Sequence, residues 1–594
     1  MTAQEALKTY FGYSSFRPMQ EDIVNAVISG RDTLALMPTG GGKSLCFQIP
    51  TIVMASLSGD TEDREQRGGV GLCLVVTPLI ALMKDQVENL RKRDIHAAAI
   101  YTGMSSDRQQ QVLDNCQYGP YRFLYVSPER LESEAFRRRL SYLPICLVAV
   151  DEAHCISQWG YDFRPSYLNI AKVRECLAPS PYKNMPVPVL ALTATATPQV
   201  ADDICLRLSL EGEEVPDWKV FKQSFARENL CYIVRRCADS ADKTRQLVNI
   251  LNKVQGSAIV YVRNRKRTAE LCEILVREGI DADYYHAGLD SYTRTLRQQH
   301  WKDYGVQPEG KRVIVCTNAF GMGIDKPDVR SVIHFDLPDS PEAYFQETGR
   351  AGRDGKEAYA VLLFAAGDAG KMKKRVIDTY PPEEFIQIVY QKLSDYFVVG
   401  EGSGWGHSFT LHLDDLCRVM HLPVLQTYSA LHLLDNAGFI AFQEEHETQP
   451  RVRINVPPYQ LTTYKLTAAQ NDLMQTLMRK YTGIFTDLQY LYEQVTEDMH
   501  QTLVSLAQRR IITYIPRTVA NTVTYTQPRV DKVWLPKRVY EERQQAYVER
   551  IKAMTEYATQ TSFCRRQLLL SYFGETDAPL CGKCDVCRKK NKTS

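Results

Sequence analysis

Between residues 31 and 200 one pattern repeats: a short apolar run, a loop of polar or small residues, then apolar positions at helical spacing. The runs are DTLALMP, GLCLVVTP, FLYVSP, CLVAVDE and PVLALTAT. Unbroken apolar runs of this length suit strands covered on both faces, and the helical stretches suit crossovers. The pattern therefore predicts a parallel α/β sheet whose strand ends hold ligands. A second series, GSAIVYV, DADYYHAG, RVIVCTN, SVIHFDLP and AYAVLLF, lies between 256 and 364. Two tandem α/β domains are expected, at 1–210 and 211–370, with 211–230 as the connecting stretch. The acidic, glycine-containing segment 58–69 reads as a solvated loop.

After residue 370 the alternation stops. DDLCRVMHLPVLQTYSALHLLDNAGFIAF reads as helix, turn, helix, then a strand opened by Gly438, and DMHQTLVSLAQRRIITYIP repeats the theme. Helix–turn–helix followed by a β-ribbon is the winged-helix arrangement, so 371–540 is predicted to be a winged-helix-like, DNA-binding region. An ordinary helical domain fits the pattern as well. Residues 541–594 form a last, cysteine-bearing module.

Composition adds limits. At 594 residues the chain is too long for one core, and three to five domains are expected. A formal charge of +2 announces no nucleic-acid partner, so any basic surface must be local. The N-terminus MTAQEALKTYFGY has no leader pattern, and no apolar run is long enough for a bilayer. These features predict a soluble intracellular protein with no membrane partner. Of 16 cysteines, twelve are scattered, often in strand-like runs, and suit buried free thiols.

MPTGGGKS, at 37–44, closes a strand and opens a helix. Gly40, Gly41 and Gly42 leave room for backbone N–H groups to turn around a phosphate, with Thr39 before them in the same binding loop. Lys43 brings charge to the β- and γ-phosphates of ATP, and the Ser44 hydroxyl is a ligand for Mg2+. CLVAVDEAH ends its strand on Asp151, for the magnesium shell, and Glu152, to polarise the attacking water. QETGRAGRDG supplies Arg350 and Arg353, three residues apart and so expected on one helical face, as charge from the second domain for the transferring group.

Cys564, Cys581, Cys584 and Cys587 in FCRRQLLLSYFGETDAPLCGKCDVCRKK offer four thiolates to one ion. A closed four-cysteine set predicts structural Zn2+, with an iron–sulfur cluster as the other possibility. Arg565, Arg566, Lys583, Arg588, Lys589 and Lys590 are expected to line a platform for DNA phosphates.

Together these motifs resemble superfamily 2 helicases, and in particular the RecQ family. FGYSSFRPMQ resembles that family's adenine-recognition motif, which implies that Tyr13 stacks on the base while Arg17 and Gln20 bond to it. TPLIALMKDQV and YVSPERL resemble its strand-gripping motifs. DEAHCISQWGYDFRPSY resembles its DEAH box and aromatic-rich loop, which implies that Ser157, Gln158, Trp159, Phe163 and Arg164 meet DNA or relay its binding. TATAT resembles the motif that couples hydrolysis to movement, through Thr193 and Thr195. TNAFGMGIDKPDVRSVIHFDLP and QETGRAGRDG resemble the motifs that close the site, implicating Gly323, Asp325 and Gln346. The resemblance implies two RecA-like domains. It also implies 3′–5′ movement on single-stranded DNA and unwinding of forked or branched duplexes in recombination, repair, replication and the SOS response. The resemblance further implies a monomer of the bacterial cytoplasm, acting at the nucleoid, with single-stranded-DNA-binding protein as a possible partner.

The chain departs from the family in placing about 170 residues between motor and cysteine module. Within them, 501–538 holds Arg509, Arg510, Arg517, Arg529, Lys532, Lys537 and Arg538 against one acid, Asp531. RRIITYIPRTVANTVTYTQPRV is expected to be a β-hairpin that serves as wing or wedge. The alternatives are an RNA helicase of the DEAD or DEAH type, a duplex translocase that separates no strands, and a zinc-containing DNA-binding scaffold.

Overall fold

The computed structural model describes residues 1–38, 40–57, 71–101, 104–157, 159–180, 186–210, 217–321, 326–448, 451–479, 486–487, 497–515 and 518–593. Thr39, the loop at 58–69, Gln158, Gly323, Asp325 and Arg517 lie outside them. The chain forms two compact units, Met1–Lys373 with Gln545–Ser594, and Lys374–Gln544.

In the first unit, strands β1 (Thr33–Leu36), β2 (Leu72–Val76), β3 (Ala97–Ile100), β4 (Phe123–Val126), β5 (Ile145–Val150), β6 (Val189–Thr193) and β7 (Lys219–Lys222) make one sheet, ordered β3-β4-β2-β5-β6-β1-β7. Every pair in it is parallel. Leu72, Leu74 and Val76 enter one core while Cys73 and Val75 enter the other, as a sheet covered on both faces requires. β7 corrects the boundary expected at 210. Lys219–Lys222 pairs with β1, so the connecting stretch ends the first sheet before it starts the second lobe.

The second sheet contains β8 (Leu230–Cys237), β9 (Ser257–Tyr261), β10 (Ala282–Tyr285), β11 (Val313–Cys316), β12 (Val329–His334) and β13 (Ala358–Ala365), all parallel, ordered β10-β11-β9-β12-β13-β8. Lys243, from the helix Ser240–Lys253, reaches Asp368 beyond β13 at 2.6 Å, and both side chains are buried. The segment from 545 onward packs on this unit. Phe573 packs at a tilt against Phe225 of the connecting stretch and Phe345 of the second lobe, while Glu575 accepts hydrogen bonds from Ser224 Oγ and the Phe225 N–H.

The second unit holds β14 (Ser408–Leu411), helices Leu413–Met420 and Val424–Asn436, β15 (Ile440–Thr448) and β19 (Thr518–Tyr525), with the antiparallel order β14-β19-β15. That is a winged helix whose wing is interrupted. Between β15 and β19 stand β16 (Arg451–Ile454), helix Ala468–Arg479, β17 (Thr486–Asp487), helix Glu497–Gln508 and β18 (Ile512–Ile515). These strands form their own sheet, β17-β16-β18, over a separate small core. The hairpin expected across 509–530 is therefore corrected: β18 pairs with β16, and β19 pairs with β14 and β15. Adjacent strands in sequence went to different sheets because β19 carries Val523 and Tyr525 into the winged-helix core, while Ile512 faces the inserted one.

Candidate nucleotide site and metal centre

β1 delivers the glycine loop. Gly40 and Gly42 both have φ +81°, and a Cβ on Gly42 would collide with the Gln20 amide. Gln20 donates to the Gly42 carbonyl at 3.0 Å and accepts from the Arg17 N–H at 2.9 Å, while Arg17 itself donates to the Gly40 carbonyl. The two residues expected at the adenine thus brace the loop, and Tyr13 beside them is exposed. Ser44 Oγ accepts from Gln86, which in turn accepts from the Tyr125 hydroxyl.

Asp151 follows β5, its carbonyl held by the Tyr167 hydroxyl at 3.1 Å. Burial, then the adjacent Glu152 charge, raise its carboxyl to about 6, while Lys43 works in the other direction. Glu152 has φ +49°, a conformation that costs a non-glycine residue energy and that clusters at functional sites. Its carboxylate lies 3.4 Å from His154 Nδ1, and the same nitrogen is 2.9 Å from Thr193 Oγ1. Burial holds the His154 imidazole neutral to lower pH than usual, against the pull of Glu152.

From this imidazole the aromatic loop departs. The Tyr161 ring stacks on His154, centroids 4.9 Å apart. Trp159 is half-buried against the first-lobe core, with its N–H on Ser157 Oγ and its carbonyl accepting from Arg550 of the helix Glu541–Thr559. Arg164 pairs with Asp162 at 3.2 Å. Ser157, Thr193 and Thr195 are buried, so they sit behind the loop and not on its outer surface.

The two arginines diverge. The helix Pro341–Thr348 ends before either, and Gly352 at φ +61° turns the chain. Arg350 folds back, buried, onto the Gly321 carbonyl of its own lobe. Arg353 lies against the glycine loop: a Cβ on Gly40 would stand 3.7 Å from its Cγ. The expectation of one shared helical face is corrected, because the helix stops too early. Gln346 and Arg350 instead line a cavity of about 530 Å3 together with Tyr161, Arg164 and Arg550.

At the C-terminus the four sulfurs of Cys564, Cys581, Cys584 and Cys587 lie within 4.8 Å of one another, with Cys581–Cys587 at 3.9 Å and Cys564–Cys584 at 4.0 Å. Zn–S bonds of about 2.3 Å in a tetrahedron give similar edges. The spacing is too tight to enclose several irons. Backbone N–H groups of Cys581, Cys584 and Cys587 point at Cys564, Cys581 and Cys584 Sγ, which suits thiolates. The residues therefore fit Zn2+. The expected basic platform is corrected in part. Arg565 is buried in a two-pronged pair with Asp585, Arg566 is buried against the Pro579 carbonyl and Glu228, and Lys583 donates to the Glu228 carbonyl. Arg509 likewise serves the inserted core, donating to the Lys465 carbonyl and Gln470.

Two parallel-sheet lobes, a glycine loop on one and an arginine from the other laid against it, define a two-lobed P-loop ATPase. Family models for the DEAD/DEAH box helicase, the helicase conserved C-terminal domain and the RecQ zinc-binding domain match residues 17–204, 242–355 and 528–588. The chain is 40% identical over 390 residues to the probable ATP-dependent DNA helicase RecS of Bacillus subtilis, covering 65% of this chain and 72% of that one. It is 39% identical to the ATP-dependent DNA helicase RecQ of Haemophilus influenzae over 64% of this chain, but spans only 55% of that relative. The fold is also similar to that of the DEAD-box helicase Mss116, with a TM-score of 0.50, 17% identity, and coverage of 72% of this chain and 89% of that one. The chain belongs to the RecQ family of ATP-dependent DNA helicases.

Proposed function

We propose that the protein is a 3′–5′ DNA helicase that hydrolyses ATP to advance along one strand and open forked or branched duplexes. The observation that carries this is Arg353 of the second lobe lying on Gly40 of the first, within a unit that also holds Asp151 and Glu152. In this reading Lys43 and the glycine-loop N–H groups bind the phosphates. Glu152 orients the attacking water, and Arg353 offsets charge on the transferring group. Ser44 and Asp151 would hold Mg2+, which supplies charge neutralisation at the β- and γ-phosphates. Tyr13 is assigned to the base, with Arg17 and Gln20 sensing it through the loop they brace. Gly323, Asp325 and Gln346 are assigned to closure.

Trp159, Phe163 and Arg164, with Ser157 and Gln158, are assigned to the strand and its relay. His154 joins that relay to Glu152 and to the Thr193–Thr195 segment. Arg510 and Arg517 are assigned to duplex contact, and Arg509 to holding the insertion together. The domain limits proposed are 1–222 and 223–370 for the two lobes, 371–540 for the DNA-binding region, and 541–594 for the zinc module. The protein is proposed to act as a monomer at the nucleoid, alongside single-stranded-DNA-binding protein. Among the described residues no helix is long and apolar enough to cross a membrane.

Unwinding of a tailed duplex with either tail polarity, with Lys43→Ala as the control, tests the proposal. Opening of the 3′-tailed substrate alone is expected. Equal opening of both, or activity in the control, overturns it.

A further inference from the structure

A winged helix conventionally offers the second helix of its helix–turn–helix to DNA. Here that helix is Val424–Asn436, and it contains no lysine or arginine. Its outer positions are Val424 and Leu425, and its His432 and Tyr428 both bond to Glu444. The preceding helix opens with Asp414 and Asp415, and its Arg418 is paired with Asp415. Among the described residues of these two helices, phosphates find no Lys or Arg outside the Arg418–Asp415 pair.

The end of the sheet remote from the wing tip is built differently. There the loop 400–407 leads into β14, and its backbone is clamped to the chain leaving β19. Gly402 donates to the Arg529 carbonyl, Arg529 to the Ser403 carbonyl and Gly406 to the Tyr525 carbonyl, each at 2.8 Å. Gly402, Gly404 and Gly406 all have left-handed φ, and a Cβ on Gly404 would strike Val399 at 2.6 Å. The clamp thus fixes the loop while Trp405, at its apex, is 71% exposed. Trp534, in the segment that leaves the same clamp, is also 71% exposed. That segment, 526–538, carries four basic residues against Asp531. Of these, Lys532, Lys537 and Arg538 are exposed and have no ion pair among the described residues.

We propose that the Trp405 loop, with Lys532 and Lys537 beyond it, is the surface through which this winged helix meets the duplex arm of a fork, in place of the helix Val424–Asn436. A rigidly held indole offers a flat face for an unstacked terminal base, and the lysines meet the adjoining phosphates. The inference rests on the helicase reading but names a contact which that reading does not assign.

The test is fork and single-strand affinity of the full chain across a salt series, measured by anisotropy of labelled DNA. Trp405→Ala should lower fork affinity about five- to a hundred-fold more than single-strand affinity, with Trp405→Phe restoring it. Lys532→Ala with Lys537→Ala should reduce the slope of log affinity against log salt by about two. Leu425→Ala should leave fork affinity alone. Unchanged fork affinity in Trp405→Ala, or an equal loss in Leu425→Ala, overturns the proposal. A wild-type ATPase that ignores DNA would overturn the helicase reading instead, through a separate measurement.

Discussion

The rings of His154 and Tyr161 stack at 4.9 Å with their planes 16° apart, and the same imidazole lies 3.4 Å from the Glu152 carboxylate. One side chain thus touches both the residue assigned to the attacking water and the loop assigned to DNA. Tyr161→Ala is expected to retain ATP binding and lose most of the stimulation of turnover by single-stranded DNA. Trp159→Ala is expected to do the same through the other end of the loop. ATPase rates with and without DNA check both, and normal stimulation in either variant refutes its part in the relay.

Arg353 and Arg350 should separate in kinetics. Arg353→Ala is expected to lower kcat about a thousandfold with nucleotide affinity largely kept, the behaviour of an arginine finger. Arg350→Ala removes a buried guanidinium bound to the Gly321 carbonyl and should lower the melting temperature as well. Equal kinetic loss without a thermal effect in both variants would contradict the assignment.

Lys243 and Asp368 form a buried pair, and Lys243 also donates to the Phe335 carbonyl at 2.7 Å. Burial tends to raise the Asp368 carboxyl, yet the hydrogen bond from Lys243 holds it below its usual range. Lys243→Ala leaves the buried carboxylate only the exposed Lys371 and the Ala365 N–H, and should destabilise the second lobe by less than the about 3–5 kcal/mol of a buried pair broken outright. Thermal unfolding of wild type and variant measures this.

His154 gives a pH dependence with a definite sign. Its folded pKa lies below the ordinary 6.5 because of burial, so the unfolded chain binds the extra proton first as pH falls. Stability contributed by the neutral ring is present above 6.5 and is lost on acidification below it. Asp151, with its raised carboxyl, works in the opposite direction over the same range. The change in melting temperature from pH 7.5 to 5.5 should therefore be more unfavourable in wild type than in His154→Asn, where only the His154 contribution is removed.

Metal analysis should find one zinc per chain, and Cys584→Ser should lose it. Because Phe573 and Glu575 clasp the connecting stretch at Phe225, the metal-free chain should also melt earlier in its motor unit. Iron in the purified protein would contradict the site.

The nucleotide and zinc residues were legible because each set is local. Lys43 follows a strand at once, Asp151 and Glu152 end another, and three of the four cysteines fall within seven residues. β3 and β8 were not, since AAAI is short and made largely of alanine, a poor strand former, and LCYIVRRC carries two arginines, so their place depends on which strand they meet. Arg353 and Arg350 were paired in expectation because spacing says nothing of where a helix stops. Arg550 on the Trp159 carbonyl spans 391 positions, and no local pattern carries such information. The basic run at 501–538 could not be divided into its parts for a related reason. Charge marks a segment as solvated or committed only when its partners are known, and Arg509 has found its partners inside the insertion.

Where the wing is interrupted, Thr448 and Thr518 stand opposite each other as a register pair. The two ends of everything between them therefore meet side by side, like the edges of a buttonhole. A short turn sewn across that gap would close the ribbon without moving either strand. The segment between them should therefore behave as a removable cassette: excising it at this one seam is expected to leave the winged helix folded.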